Sequence, residues 1–445
     1  MSELNYELLR QAVEGDGIAL RSVMKLEPIG GPGSKVFPPT FGDTMEVPPP
    51  TEGDSALVGK RTKYALEWRR IDGRSRLCVL LDSAASQANR MEEALRDAWE
   101  AGDLPFPLVR VDFTAERHED PALDLATLGG NGYLSVLDVP HRLSDALLRD
   151  SLLDGVPFRA SAPGRRFTEA SLANAVALYE LCPTGLIFGL WDSTGPKGGL
   201  GAKFQRALVS EIVGVGVELG VKTASRIDPA GIEKTEIYEA ENHDEEWTID
   251  PDAAKREGKK PVLLKRGGEK AGTPAVINHG NVKPSVDPLA GGVTIDYAEQ
   301  TTVLSFPALR RLRFQADVTG QLLNGRRASA EAAARTALAA LAVAAVVYGR
   351  RNGFDLRSRC AFRPLHEAKF ELLRADGSEP KTYDVSLAAA RDLVHEAVRQ
   401  AEAVGMGWKA QTIDLKPAPR LVALIRKSRE ISVSATGADD ADDNG

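Results

Sequence analysis

Several groups of residues in this chain have the types and spacing to do chemistry. The densest is Asp192-Ser-Thr-Gly-Pro-Lys-Gly-Gly-Leu-Gly-Ala, followed by Lys203, Phe204 and Arg206. Clustered glycines let backbone N–H groups come close to an anion. Lys197, Lys203 and Arg206 add charge, and Trp191 and Phe204 add rings on which a base can stack, a combination that suits a sugar-phosphate chain. A tight turn with solvated lysines fits the same residues. The nucleotide-loop templates fail. A Walker loop needs Gly-Lys-Ser/Thr after a glycine and four residues, but Leu200 follows Gly195 at that distance and Lys203 follows Gly198. A dinucleotide fingerprint from Gly199 and Gly201 needs glycine where Phe204 stands.

His141, Asp145 and Arg149 recur every four residues, which on a helix gives one polar face and a possible acid–base cluster. An ordinary ion-paired helix face accounts for them equally. Asn278-His279-Gly280-Asn281 could bind phosphate or ribose, or could simply turn the chain. The six histidines lack metal-ligand spacing, and Cys78, Cys182 and Cys360 are far apart. Neither a metal site nor a cofactor is expected.

The elements that must hold these residues follow from periodicity and caps. A short helix is expected over 3–13, and an irregular Pro/Gly-rich arm over 28–55. A strand at 76–81 leads through Asp82 or Ser83 into a helix ending near Glu100, with Gly102 behind it. Ala84, Ala88, Met91, Leu95 and Trp99 form its apolar stripe; Ser83, Gln87 and Arg90 share another face, with Ser86 and Asn89 alongside. A strand is expected at 108–113, a helix over 138–152 with Pro140 in its first turn, a helix at 171–181 and a buried strand at 185–191. Residues 204–217 fit strand or helix. Strands at 293–295 and 301–306 and helices at 329–348 and 386–404 complete the pattern. Short strands mixed with helices, without regular βαβ alternation, imply an α+β fold with a mostly antiparallel sheet and long insertions.

The 445 residues carry 56 Lys and Arg against 63 Asp and Glu, a net charge of −7. That sum has unlike parts. Residues 239–252 hold seven acids and no base, and residues 255–270 hold seven bases, the mark of an exposed inserted arm over 239–275. The tail, 437–445, adds four acids and has the composition of a disordered segment. Residues 310–363 carry eleven Arg, no Lys and three acids. Arginine favours bidentate phosphate contact, so this lopsided stretch points to an anionic polymer; a solvated basic face or a subunit interface with acidic partners is the alternative. The apolar run 336–348 is shorter than a bilayer span, and the N-terminus lacks a signal core. A cytoplasmic protein without a membrane partner is expected.

Taken in order, a series of blocks resembles one family. They are Phe37-Pro-Pro-Thr-Phe41; Leu80-Leu-Asp-Ser-Ala-Ala-Ser-Gln-Ala-Asn-Arg90; Asp138-Val-Pro-His-Arg-Leu-Ser-Asp-Ala-Leu-Leu-Arg-Asp-Ser151; and the run from Phe188 to Arg206. Ser225-Arg-Ile-Asp-Pro229, Ile277-Asn-His-Gly-Asn281, Gly291-Gly-Val-Thr-Ile-Asp-Tyr-Ala298 and Gln300-Thr-Thr302 continue it. The blocks resemble the Cascade backbone protein of type I-G (formerly I-U) CRISPR systems, the Cas-seven-like RAMP family also called Csb-one. The resemblance implies an RRM-like (ferredoxin-like) palm over 1–436 with inserted finger and thumb segments. It implies a non-catalytic subunit that polymerises along CRISPR RNA and presents it to a target DNA strand. Its partners would be copies of itself, a large subunit, a fused guide-end subunit and a helicase-nuclease. Guide contacts would fall to Ser86, Gln87, Asn89, Arg90, His141, Arg142, Trp191, Lys197, Lys203, Phe204, Arg206, Ser225, Arg226, Asn278, His279 and Asn281. The alternative within such families is an RNA-processing endoribonuclease using His141. A metabolic enzyme with a phosphate loop is disfavoured by the failed templates.

Overall fold

A computed structural model describes residues 2–50, 52–53, 55–195, 201–232, 234–242, 245–266, 270–351 and 353–435. The elements used below are α1 (Tyr6–Glu14), β1 (Gly17–Pro28), β2 (Leu66–Ile71), β3 (Arg74–Asp82), α2 (Ala84–Glu100), β4 (Leu108–Asp112), β5 (Leu208–Val215) and β6 (Tyr297–Ser305). They continue with α3 (Arg327–Arg351), β7 (Phe370–Arg374), β8 (Lys381–Asp384), α4 (Leu387–Glu402), β9 (Thr412–Pro417) and α5 (Pro419–Ala435).

The chain divides into two units. The first comprises Met1–Arg117, Leu125–Leu219 and Gly292–Leu421. Strict alternation along β6 sets its layers: Ala298, Gln300, Thr302 and Leu304 are buried, and the residues between them are half-buried. β6 lies between β1 and β5, antiparallel to both. The ten-stranded sheet runs in the order Ser2–Glu3, β8, β7, β1, β6, β5, β3, β2, with the hairpin Phe354–Arg357/Cys360–Pro364 attached to β1. Helices α1, α2, α3 and α4 pack on one another, and α2 also packs on β5. This is the expected α+β fold with an antiparallel sheet, compatible with an RRM-like palm. A second sheet joins β9 and β4 in parallel, flanked by Ser151–Leu153 and Tyr133–Ser135.

α3 is its central core helix. By length and composition the stretch Asn324–Arg351 could cross a membrane, yet 89% of its most apolar window is buried inside the protein. Alanine on nearly every face lets the sheet, α2 and α4 approach it together. Ser83 caps α2 as expected, accepting from the Ser86 amide at 3.2 Å. Ser386 caps α4 in the same way, and Gly405, at φ +83°, lies just beyond its end.

Several expectations are corrected. The 138–152 segment is not one helix but a turn, a 3-10 turn at Arg142–Ser144, a short helix at Ala146–Arg149 and a strand at Ser151–Leu153. The 28–55 segment contains a strand, Thr40–Glu46, paired with Arg61–Tyr64. Helix in 171–181 is confined to Val176–Leu181, and 185–191 is mostly helix, Pro183–Phe188, before the strand Leu190–Trp191. The ambiguous 204–217 stretch is strand.

The second unit comprises His118–Asp124, Gly220–Gly291 and Val422–Gly445. It is built of two-stranded ribbons, the longest pairing Lys222–Arg226 with Val282–Asp287. Ile237, Leu264 and Val276 form a small core of its own. The tail from 436 onward lies outside the described residues.

Candidate nucleic-acid interface

α2 interrupts its apolar stripe with a carboxylate. Glu92 is 2% exposed, between Ala88 and Leu95 on the buried face. A charge so placed needs a partner. Arg142 supplies it, with Nε and one Nη each 2.7 Å from a carboxylate oxygen. Its other Nη donates to the Gly189 carbonyl at 3.1 Å. Burial pushes the Glu92 carboxyl up, opposed by Arg142 and Thr184. Arg142 adopts φ +52°, a left-handed backbone costly for a side-chain-bearing residue, which the bidentate bond holds in place.

This buried pair ties three predicted segments together. The 141–144 turn is linked onward by Ser144, whose hydroxyl donates to the His141 carbonyl at 2.7 Å and the Trp191 carbonyl at 3.2 Å. Gly189, at φ +86°, lies so close to Arg206 that a Cβ there would sit 3.0 Å from the Arg206 Cγ. Arg206 Nε donates to the Phe188 carbonyl at 3.3 Å. Trp191 and Lys203 pair across two short strands, the ammonium 5.3 Å from the indole centroid. Trp191, Lys203, Arg206 and His141 are all exposed. The result is an open platform of one ring, one imidazole and two cations on a rigid base, which can hold a phosphate chain with a stacked base. Lys197 lies outside the described residues.

Along α2, Ser86, Asn89 and Arg90 line a cleft of about 370 Å³ with Glu93, Arg96 and residues 137–140. Arg90 is already engaged: Nε bonds Asp82 at 3.0 Å and one Nη the Leu356 carbonyl at 2.5 Å. Three of the predicted guide-binding residues are taken off the surface. Gln87 is 4% exposed; it donates to Asp82 at 2.7 Å and accepts from Ser210 at 3.0 Å and Gln300 at 2.7 Å. Arg142 serves Glu92, and Phe204 is 4% exposed, in the core rather than on a stacking face. The expected His141–Asp145–Arg149 face does not form. Asp145 instead accepts from the backbone amides of His141 at 3.3 Å and Leu147 at 3.0 Å.

In the second unit, two motifs some fifty residues apart in sequence meet. Arg226 donates to the Gly280 and His279 carbonyls, both at 3.2 Å, and the Asp228 amide donates to Asn281 at 2.7 Å. Asn278 takes φ +60°, and His279 Nδ1 lies 3.4 Å from Asp228. Bonds from the Gly280 and Ala230 amides hold the Asp228 carboxyl below its usual range. These bonds fasten the base of the long ribbon, and Ser225 is exposed on it.

Seven of the eleven 310–363 arginines are exposed, and Arg310, Arg335, Arg350 and Arg357 are turned inward. Arg310 bonds the Val13, Ala12 and Gly17 carbonyls, Arg350 bonds Gln300 and Ser22, and Arg357 bonds the Leu81 carbonyl. Burial pushes Arg350 down to about 10. Among the described residues no His, Cys, Asp and Glu cluster could hold a metal. All three thiols are buried and unpaired.

Glu92, Ser144 and Gly189 were missed as positioning residues. Glu92 had a legible signal, a carboxylate inside an apolar stripe. Ser144 and Gly189 had none.

Residues 20–219 match the family model described as CRISPR-associated protein GSU0053. That stretch holds nearly all of β1, all of β2 through β5, α2, and the whole Glu92–Arg142 platform. No curated protein matches the chain.

Proposed function

We propose, from the match of residues 20–219 to a CRISPR-associated family, that the chain is the non-catalytic backbone subunit of a type I Cascade effector, of the I-G kind. In this reading several copies line up along a CRISPR RNA in the cytoplasm, hold it for pairing with a target DNA strand, and work beside other Cascade subunits and a helicase-nuclease. The observation that carries it is the platform: exposed Trp191, Lys203, Arg206 and His141 held by a buried base inside the family-matched stretch. A backbone subunit must accept any spacer, so it should grip phosphate, 2′-OH and ring faces and leave base edges to pairing. The platform offers that kind of grip. The His141 ring has no carboxylate partner in Asp145, whose oxygens face backbone amides, and that favours holding RNA over cutting it.

The test is RNA binding by Lys203→Ala and Arg206→Ala across unrelated sequences. Affinity should fall alike for all of them, with the salt slope smaller by about 0.7 for each phosphate that is no longer neutralised. A loss confined to one sequence overturns the reading. So does cleavage of repeat RNA by the wild type that His141→Ala abolishes.

A further inference from the structure

Beyond the platform, the first unit carries a surface that neither the family match nor the guide-binding residues account for. Three chain segments lie side by side there. The Arg313 amide donates to the Leu172 carbonyl at 2.9 Å, and the Leu323 amide donates to the Gln315 carbonyl at 3.1 Å. Leu322, 62% exposed, and Leu172, 40% exposed, stand on these segments. Around them are exposed Arg311, Arg313, Arg326 and Arg327. Two buried carboxylates anchor the arginines from below: Glu331 bonds Arg313 at 2.8 Å and Arg327 at 2.9 Å, and Asp317 lies 3.7 Å from Arg326. The guanidiniums are thus fixed in place with their charge in excess, next to uncovered leucine.

The second unit shows the complementary chemistry. In its acidic arm, Glu239, Glu246 and Asp252 pair with Lys255, Arg266 and Arg256. Glu241, Glu245 and Asp250 are exposed and have no ion pair among the described residues. Between them stand Trp247, 41% exposed, and Ile249, 62% exposed. An aromatic and an aliphatic anchor ringed by acids match leucines ringed by arginines in both hydrophobicity and charge. Single-stranded RNA would call for rings on the basic surface, and this one presents leucines. Leu172 apart, both surfaces lie outside residues 20–219.

We propose that the Leu172–Leu322 arginine surface of one copy is the docking site for the acidic Trp247–Ile249 arm of a second copy of this chain. The inference rests on the reading of the chain as a polymerising subunit and names the chemistry of the joint. Two different surfaces meet, so the joint is heterologous and propagates an open chain.

Two variants test it: Leu322→Asp with Arg311→Glu on the surface, and Glu241→Lys with Glu245→Lys on the arm. All four positions are exposed, and thermal melting checks folding. Copies bound to a long RNA are counted by native mass spectrometry, and affinity is measured for an RNA that accommodates a single copy. Each variant should keep single-copy affinity and lose about tenfold or more in apparent affinity for the long RNA. Mixed together, the variants should restore one joint and give pairs. Unchanged stoichiometry in both variants overturns the proposal while the guide-binding reading stands. Loss of single-copy affinity in the surface variant overturns it too, because the surface then belongs to RNA. A wild type that binds neither RNA refutes the guide-binding reading; the joint then stands or falls on whether wild-type protein alone associates at low salt and both variants do not.

Discussion

In the first unit, Glu331 is 4% exposed, and Arg313, Arg327 and Arg335 converge on it within 2.9 Å, with the Phe314 amide at 3.2 Å. In the second unit, Glu246 meets Arg266 with half of the carboxylate side chain in water. Both regions stand out in the sequence as charge runs, yet only one uses charge to build its interior. The eleven arginines of 310–363 point to an anionic ligand when counted, whereas Arg310, Arg335, Arg350 and Arg357 bond groups inside the fold and Arg313 and Arg327 lean on buried Glu331. Charge density in a sequence measures how many ionic groups must be placed. Burial decides whether they serve the fold or a partner.

The largest break in this contrast should come from Glu331→Ala. It leaves Arg335, 12% exposed, beside two other guanidiniums with no anion, and strands the Phe314 amide. Burial raises the Glu331 carboxyl, but the bonds from Arg327 and Arg313 outweigh it and hold it below its usual range. Removing one member of such a buried cluster costs about 3–5 kcal/mol. Because Arg313 and Arg327 are about half exposed and can turn to water, the lower end, about 3 kcal/mol, is expected. Urea unfolding checks it through the midpoint at constant slope. A loss below about 1 kcal/mol would place Glu331 with the surface pairs.

Glu180 sharpens the contrast, for it has a single arginine. Burial pushes its carboxyl up to about 7 against the pull of Arg166 at 2.7 Å. One cation loses to desolvation where three win. The folded chain therefore holds this proton more tightly than the unfolded one, whose glutamates titrate near about 4.3. The stability that proton gives is full below the unfolded value and is lost as pH rises through about 7. Glu180→Gln cannot titrate. Its melting temperature should match the wild type below about pH 4, exceed it by a margin that grows up to about pH 7, and keep that margin above. A margin that does not grow between about pH 4 and about pH 7 refutes the assignment.

The sequence made the regular parts of this scheme legible. Ser83 and Ser386 announce their helices, and alternation announces β6. The 138–152 segment went wrong because Asp138 and Pro140 imitate a helix start, while Arg142 at φ +52° breaks the helix for the sake of a partner 50 residues away. No local propensity contains that partner. The same holds for Gln87, which shares a helical face with half-buried Ser83 and Arg90 but is enclosed by Asp82, Ser210 and Gln300. The exposed half of the site, Trp191, Lys203 and Arg206, was legible because its chemistry lies within one short run of residues. The buried half was not, because its logic is tertiary.

The smallest effect belongs to the inserted unit. Glu246 and Arg266 face each other at 2.9 Å with side chains 55% and 30% exposed. Water solvates both ions about as well as they solvate each other, and fixing two long side chains costs entropy. Exposed pairs therefore contribute about 0–1 kcal/mol. Glu246→Ala should change stability by no more than that range, and molar salt, whose screening length of about 3 Å is comparable with the separation of the pair, should remove most of the remainder. Glu331→Ala, with its carboxylate out of reach of the solvent ions, should keep most of its cost at the same salt. If the two variants responded to salt alike, burial would not be what separates the charges that build this protein from the charges it presents.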